Sequence, residues 1–265
     1  VDEYTFEDVA ATERMKNATQ IFSERFRVTQ TQETVDKAGK KSEVAYQKVK
    51  AGKHIRIDME VAFLSNQASS FGTTRTLGGL RAYTATNANM GATGAAGGYN
   101  SGTGVIDAAT DGPQRAFTKS IMDNLIEGVY TSGGNPKMLM VSPYVKRVFS
   151  SFMSDANVAQ QRYQTKGTSQ TTIVGAADAY LSDFGLIEVV PNRQMSRLPA
   201  LARNAFLIDP TLLKKGWLRK IKEDTEIART GDADPYVVNG EVTLINLNEE
   251  GIGVAADLFG INAAA

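Results

Sequence analysis

The sequence predicts an α+β protein, and three observations carry that expectation. An extended ribbon surrounds Phe22, Phe26 and Val28, a helical pattern runs over residues 39–67, and the remainder of the chain from Phe206 is a series of short strands. Strands so far apart in sequence have to meet across the helices, which places one region of the chain as an insertion in another. Neither an internal repeat nor a Pro-rich linker interrupts the 265 residues.

The ribbon is read from alternation. Phe22, Glu24, Phe26, Val28 and Gln30 share one side of a two-residue repeat, while Ser23, Arg25, Arg27 and Thr29 take the other. Residues 1–7 read as its partner strand. Two strands alone are marginal in water, so the ribbon is expected to rest on another subunit. Phe22, Phe26 and Val28 would supply the apolar contact there, and Arg25 and Arg27 would meet acidic groups. Replacing Phe22 and Phe26 by Asp is then expected to stop association without unfolding the subunit.

Over 39–67, Ala45, Val49, Gly52, Ile55, Met59, Ala62 and Phe63 follow three- and four-residue spacing. A helix of that length runs roughly 40 Å at 1.5 Å per residue. Its other face mixes Lys40, Lys41, Lys48, Lys50, Lys53 and Arg56 with Glu43, Asp58 and Glu60, the pattern of a solvated face. The tract 87–104 holds Gly91, Gly94, Gly97, Gly98, Gly102 and Gly104 and little to bury, which predicts a mobile surface insertion.

Helical spacing resumes over 114–130 through Phe117, Ile121, Leu125 and Val129, and Thr131-Ser132-Gly133-Gly134-Asn135-Pro136 ends it. Residues 138–141 read as a buried strand. Ser142-Pro143 supplies an N-cap followed by proline at the first helical position, so the next helix should turn Tyr144, Val148, Phe149 and Phe152 inward. Strands at 177–182 and 186–190 flank Asp183-Phe184-Gly185 as a hairpin. Further strands are expected at 206–208, 237–238, 242–247 and 252–255, and Trp217 lies in a strand-like stretch as a core or interface anchor.

Composition narrows function. Lys plus Arg and Asp plus Glu are 29 each, so no global field attracts nucleic acid or an anionic membrane. The absence of cysteine removes disulfides, thiolate chemistry and Cys-based zinc sites. No run approaches the ~20 apolar residues of a membrane span, and the first residues lack a basic and apolar signal sequence.

Chemical motifs are weak throughout. The sole histidine, His54, has no Ser or Cys partner that spacing assigns to it. Asp58 and Glu60, two apart on a helix, face different directions. Asp232-Ala233-Asp234 lacks the ligand count and later acid of a calcium loop and reads as a turn. The glycines of 87–104 meet neither phosphate-loop spacing. No catalytic residue, cofactor site or metal site is expected, and the chain is not expected to be an enzyme.

Five short segments carry a resemblance: Arg115-Ala116-Phe117-Thr118, Met140-Val141-Ser142-Pro143, Leu181-Ser182-Asp183-Phe184-Gly185, Val190-Pro191-Asn192-Arg193 and Thr230-Gly231-Asp232-Ala233. In this order around a long helix, they resemble the major capsid protein of tailed double-stranded DNA bacteriophages. The resemblance implies an extended loop over 1–30, and a peripheral domain over 31–114 and 198–265 containing the long spine helix and the Gly-rich insertion. It implies an axial domain over 115–197. The implied activity is self-assembly into hexamers and pentamers of an icosahedral capsid enclosing DNA, the alternative being an encapsulin-like shell around cargo enzymes. Implied partners are the chain itself, portal, scaffolding or decoration proteins, and packaged DNA through weak non-specific contact, with no membrane. The implied location is the virion, reached from the host cytoplasm. The resemblance also implies an arm ahead of the extended loop, which is expected to lie before Val1 or to be missing.

Overall fold

A computed structural model describes residues 14–152, 179–224, 227–229 and 231–260. Elements follow in the order β1 (Gln20–Thr29), α1 (Gln30–Thr34), α2 (Glu43–Leu64), α3 (Leu80–Tyr83), β2 (Ala88–Asn89), β3 (Gly98–Asn100), β4 (Val105–Asp107) and α4 (Lys119–Thr131). Then come β5 (Met138–Val141), α5 (Pro143–Phe152), β6 (Ala179–Ser182), β7 (Gly185–Pro191), a 3-10 turn (Arg193–Arg197), α6 (Pro199–Ala202), β8 (Ala205–Ile208), β9 (Leu213–Asp224), β10 (Ala233–Asn246) and β11 (Gly253–Ala255).

The ribbon strand forms as expected, but its partner does not come from residues 1–7, which lie outside the described residues. β1 pairs antiparallel with β10, from Gln20 opposite Val242 to Thr29 opposite Ala233, and β9 flanks β10 on the other side. α2 packs beneath this three-stranded sheet, with Ala51, Ile55, Met59 and Ala62 meeting Phe22, Val238 and Val242. β9 spans twelve residues of which only the stretch around Trp217 read as strand-like, because its cations hide the alternation.

The long helix is shorter at both ends than 39–67. Gly39 has φ 87°, outside the helical region. The helix starts after Ser42, whose hydroxyl accepts from Ala45 N at 3.1 Å. Glu33 completes that cap, accepting from Ser42 Oγ (2.6 Å), Glu43 N (2.9 Å) and Val44 N (3.1 Å). The Ser42 hydroxyl and the Val44 amide hold its carboxyl below the usual carboxylate range. Ile55, Met59 and Ala62 are buried as expected, but Val49 is 61% exposed because the sheet covers only the later turns.

The second sheet has the order β2-β11-β8-β5-β7-β6, with β2/β11 and β5/β7 parallel and the other pairs antiparallel. Successive side chains go to opposite faces. Leu139, Val141, Ala205 and Leu207 join α4 and α5 on one face, while Phe206, Ile208, Met138 and Met140 meet Leu64, Leu80, Met195 and Leu201 on the other. This explains the unbroken apolar run 205–208, since both faces are covered. The sheet crosses the boundary expected between 197 and 198, because β8 and β11 from the later segment continue β5–β7.

Gly133 ends α4 with φ 85°, its amide and that of Gly134 bonding the carbonyls of Tyr130 and Val129. Ser142 caps α5 as predicted. Its hydroxyl accepts from Val145 N (3.2 Å), donates to Ala202 O (2.7 Å) and is fully buried. Ser142→Ala is expected to cost about 2 kcal/mol, since a cap and a buried bond are lost together, read by denaturant unfolding. The side chain of Phe152 and the strand start at 177–178 lie outside the described residues.

The Gly-rich tract is not an appended insertion. Its β2 strand extends the second sheet, β3 pairs with β4, and Ile106 of β4 is fully buried beside Ala82 and Tyr83. Gly97 shows why glycine is needed there. A Cβ would lie 2.3 Å from Asp107 O and 2.6 Å from Ala82 O, so these glycines admit close backbone packing.

Candidate assembly surfaces

The expected contact residues divide between two sides of β1. Phe22 is 9% exposed and Val28 is buried, and Phe26 stacks on Tyr236 with ring centroids 5.2 Å apart. Phe22 and Phe26 pack against the α2 layer of their own subunit, which corrects the expectation that this apolar side lies on a neighbour. The physical reason is that β10 completes the ribbon and α2 covers its apolar face. Arg25 and Arg27 do face outward, beside Ile21 and Ser23 of β1 and Pro235, Val237 and Asn239 of β10, in an open groove of about 750 Å³. β1 is also a sheet edge, with one neighbour among the described residues.

Glu241 fastens the start of β1 to β10. Its Oε1 accepts from Thr19 Oγ1 at 2.6 Å and its Oε2 from Arg219 Nε at 3.0 Å, with Arg75 3.7 Å away. The Thr19 hydroxyl first, then Arg219, hold this carboxyl below the usual range against the opposing effect of burial. A carboxyl with a lowered folded pKa stabilises the fold above its unfolded value, near 4.5, and loses that contribution as pH falls through the folded value. Glu241→Gln is therefore expected to lower stability at pH 7 and to flatten its acid dependence below about pH 4.5, measured by melting at stepped pH.

A second outward surface was missed by sequence reading. Leu181 of β6 lies opposite Leu186 of β7, and both point away from the core at 77% and 63% exposure. Their neighbours Tyr180 and Ile187 form the inward pair and are buried. Tyr180 donates to Asp123 Oδ1 of α4 at 2.5 Å, and Phe184 at the turn packs on Tyr130 with centroids 4.8 Å apart. The hairpin is thus anchored on one side, with two leucines and half-exposed Tyr130 and Phe184 at its tip. The signal was the odd parity of Leu181 against Tyr180 once the hairpin was placed.

Chemistry is sparse. Among the described residues no three His, Asp or Glu side chains come together to hold a metal ion, and no helix is long and apolar enough to cross a membrane. His54 Nδ1 sits 3.2 Å from Glu24 Oε1, tying α2 to β1. Glu60 accepts from Asn192 Nδ2 at 2.7 Å, and Asp234 pairs with Arg229, so both acidic candidates have structural partners.

Two outward surfaces, one of mixed polarity along β1 and β10 and one apolar at the β6–β7 tip, on a chain without a catalytic cluster among its described residues suit a subunit of an assembly. The SU10 major capsid protein model matches residues 1–259. The chain belongs to that family. It is a structural capsid subunit, and the cargo-shell alternative is not favoured. No curated protein sequence matches it.

Solved structures share the fold of this capsid subunit. The holo-SrpI encapsulin complex of Synechococcus elongatus PCC 7942 matches with TM-score 0.57 at 9% identity, over 93% of this chain and 76% of that one. The cyanophage A-1(L) capsid asymmetric unit gives 0.55 at 12% identity, over 90% and 77%. Mycobacterium phage Adephagia gives 0.54 at 16%, over 91% and 72%. Mixed helix and sheet in this arrangement agree with the predicted fold class.

Proposed function

We propose that this capsid subunit forms the hexamers and pentamers of an icosahedral shell that encloses packaged DNA. The observation that carries the proposal is the capsid family match along 1–259. The β6–β7 tip and the outer face of the β1–β10 pair are its contacts between copies, each modest and repeated by symmetry. Within this reading residues 1–30 act as an extended loop toward a neighbour, Arg25 and Arg27 being its polar contacts. α2 with β9 and β10 forms the peripheral part, and 115–197 forms the axial part together with β8 and β11.

The zero net charge supports a container for DNA, since a strongly basic wall would bind phosphates and hinder packing. Portal, scaffolding and decoration proteins are the further partners such a shell implies, and host cytoplasm the place of assembly. No enzymatic step is part of the proposal. The test is negative-stain microscopy of the purified protein, followed by nuclease treatment and extraction of the contents. Closed particles protecting DNA are the expected result. Closed particles filled with a cargo enzyme, or a stable monomer under every salt and scaffold condition, would overturn it.

A further inference from the structure

The outward tip of the β6–β7 hairpin is acidic as well as apolar. Leu181, Phe184 and Leu186 stand out from it, and Asp183 and Glu188 beside them are exposed and without an ion-pair partner among the described residues. No Lys or Arg occurs over 179–192, so the hairpin is anionic. Two tips facing each other would set acid against acid. The surface that fits is apolar at its centre with cations around it.

Such a surface lies where α5 begins. Tyr144 and Phe259 are partly exposed and pack together with ring centroids 6.2 Å apart. The Arg147 guanidinium lies over the Tyr144 ring, 5.7 Å from its centroid. Arg203 borders the pair, its carbonyl accepting from Leu258 N at 2.9 Å. Neither arginine pairs with a carboxylate among the described residues, and Asp257, two residues before Phe259, is buried and held by the amides of Gly91 and Gly112. Tyr and Arg are among the residue types that most often anchor contacts between proteins.

One copy cannot lay its own tip on its own patch. Phe117 N donates to Gly260 O at 3.0 Å, which fixes the start of α4 beside Phe259, while Tyr130 near the end of α4 packs on Phe184. The helix between them has thirteen residues and spans about 20 Å. The bond from Tyr180 to Asp123 holds the hairpin where it is. Tip and patch therefore lie at opposite ends of one layer, and they can meet only between copies. A contact between two different patches repeats head to tail and closes into a ring when the rotation between copies allows it.

We propose that the β6–β7 tip of one copy seats on the Tyr144–Phe259 pair of the next, with Leu181, Phe184 and Leu186 over the rings and Asp183 and Glu188 toward Arg147 and Arg203. This joint closes the ring of five or six copies. It rests on the shell reading and names the surface that meets the tip.

The absence of cysteine allows a direct test. The full-length double variant Leu186→Cys with Tyr144→Cys is assembled, oxidised and run on a non-reducing gel. The pair Ser23→Cys with Asn239→Cys, facing residues of β1 and β10, reports folding and oxidation. The expected result is a ladder of covalent multimers rising to five and six chains, while each single-cysteine chain stays monomeric. Dimers from Leu186→Cys alone would place tip against tip and overturn the proposal. So would a ladder that forms only when Lys215→Cys replaces Tyr144→Cys, which would seat the tip in the open groove between α2 and β9. No ladder while the control pair closes would also overturn it. Charge reversal gives a second readout. Asp183→Arg with Glu188→Arg, and separately Arg147→Glu, should each prevent particles without moving the melting curve, and a chain carrying all three should recover particles. Normal particles from either partial variant would count against the joint. Particles from the parent without a ladder from the double variant would sink this inference and leave the capsid reading standing, whereas a parent that stays monomeric would sink both.

Discussion

Leu181→Asp combined with Leu186→Asp is expected to give a folded subunit that no longer closes into shells. The two leucines face each other across β6 and β7 on the side away from the core, so neither contributes burial to its own fold. Surface changes of this kind shift stability by about 0.5 kcal/mol or less. At a contact between copies the same carboxylates would be desolvated without a partner, at a cost of several kcal/mol each time the contact recurs. Repetition by symmetry turns a moderate local penalty into complete loss of the particle. Melting by circular dichroism should overlay the parent, while negative-stain images show no shells. Normal particles would mean that the hairpin tip is not a contact.

The same reasoning reverses the expectation for Phe22. Its ring lies in the layer with Ile55, Met59 and Val242 of its own subunit, so Phe22→Asp would bury a carboxylate in that layer and unfold it. The alternation that placed Phe22 on one side of a strand was legible in the sequence. What covers that side was not, because the cover comes from α2 and β10, the latter more than 200 residues away, and spacing along β1 carries no information about distant elements. β5, α5 and the β6–β7 hairpin were legible because their caps and turns are local: Ser142-Pro143 and Asp183-Phe184-Gly185 act within a few residues. The Gly-rich tract misled for the opposite reason. Glycine serves both a loose linker and a backbone pressed against another backbone, and only the contact at Gly97 tells them apart. The outward groove beside Arg25 and Arg27 was half legible, its cations read from β1 and its other wall supplied by β10.

Asp257 should be the most sensitive single position in the fold. It follows β11 with φ 61°, is 5% exposed, and its Oδ2 accepts from the amides of Gly91 (2.9 Å) and Gly112 (3.0 Å), so it ties both ends of the 91–112 segment to the second sheet. Burial pushes the pKa values of Arg81 and Arg115 down, and carboxylates oppose it: Asp111 first and then Asp257 for Arg81, and Asp257 for Arg115. Arg81 is fully buried, and its Nε and Nη1 have no hydrogen-bond partner among the described residues. The other carboxylate near it, Asp111 at 3.7 Å, is 47% exposed and screened by water. Asp257→Ala would orphan the buried Gly91 amide and the partly buried Gly112 amide, and would take a counter-charge from buried Arg81 and partly buried Arg115. The expected loss is about 3–5 kcal/mol, a fall in Tm on the order of 10 °C. Asp257→Asn keeps the acceptor and tolerates the left-handed backbone, so the difference between the two variants measures the backbone bonds apart from the charge. Arg81→Met in the Asp257→Asn background should recover part of the loss, because it removes the cation that the lost charge had balanced. If Arg81→Met instead deepens the loss, the guanidinium is held by its packing and its contact with Met90, and the charge balance through Asp257 is not what secures this joint.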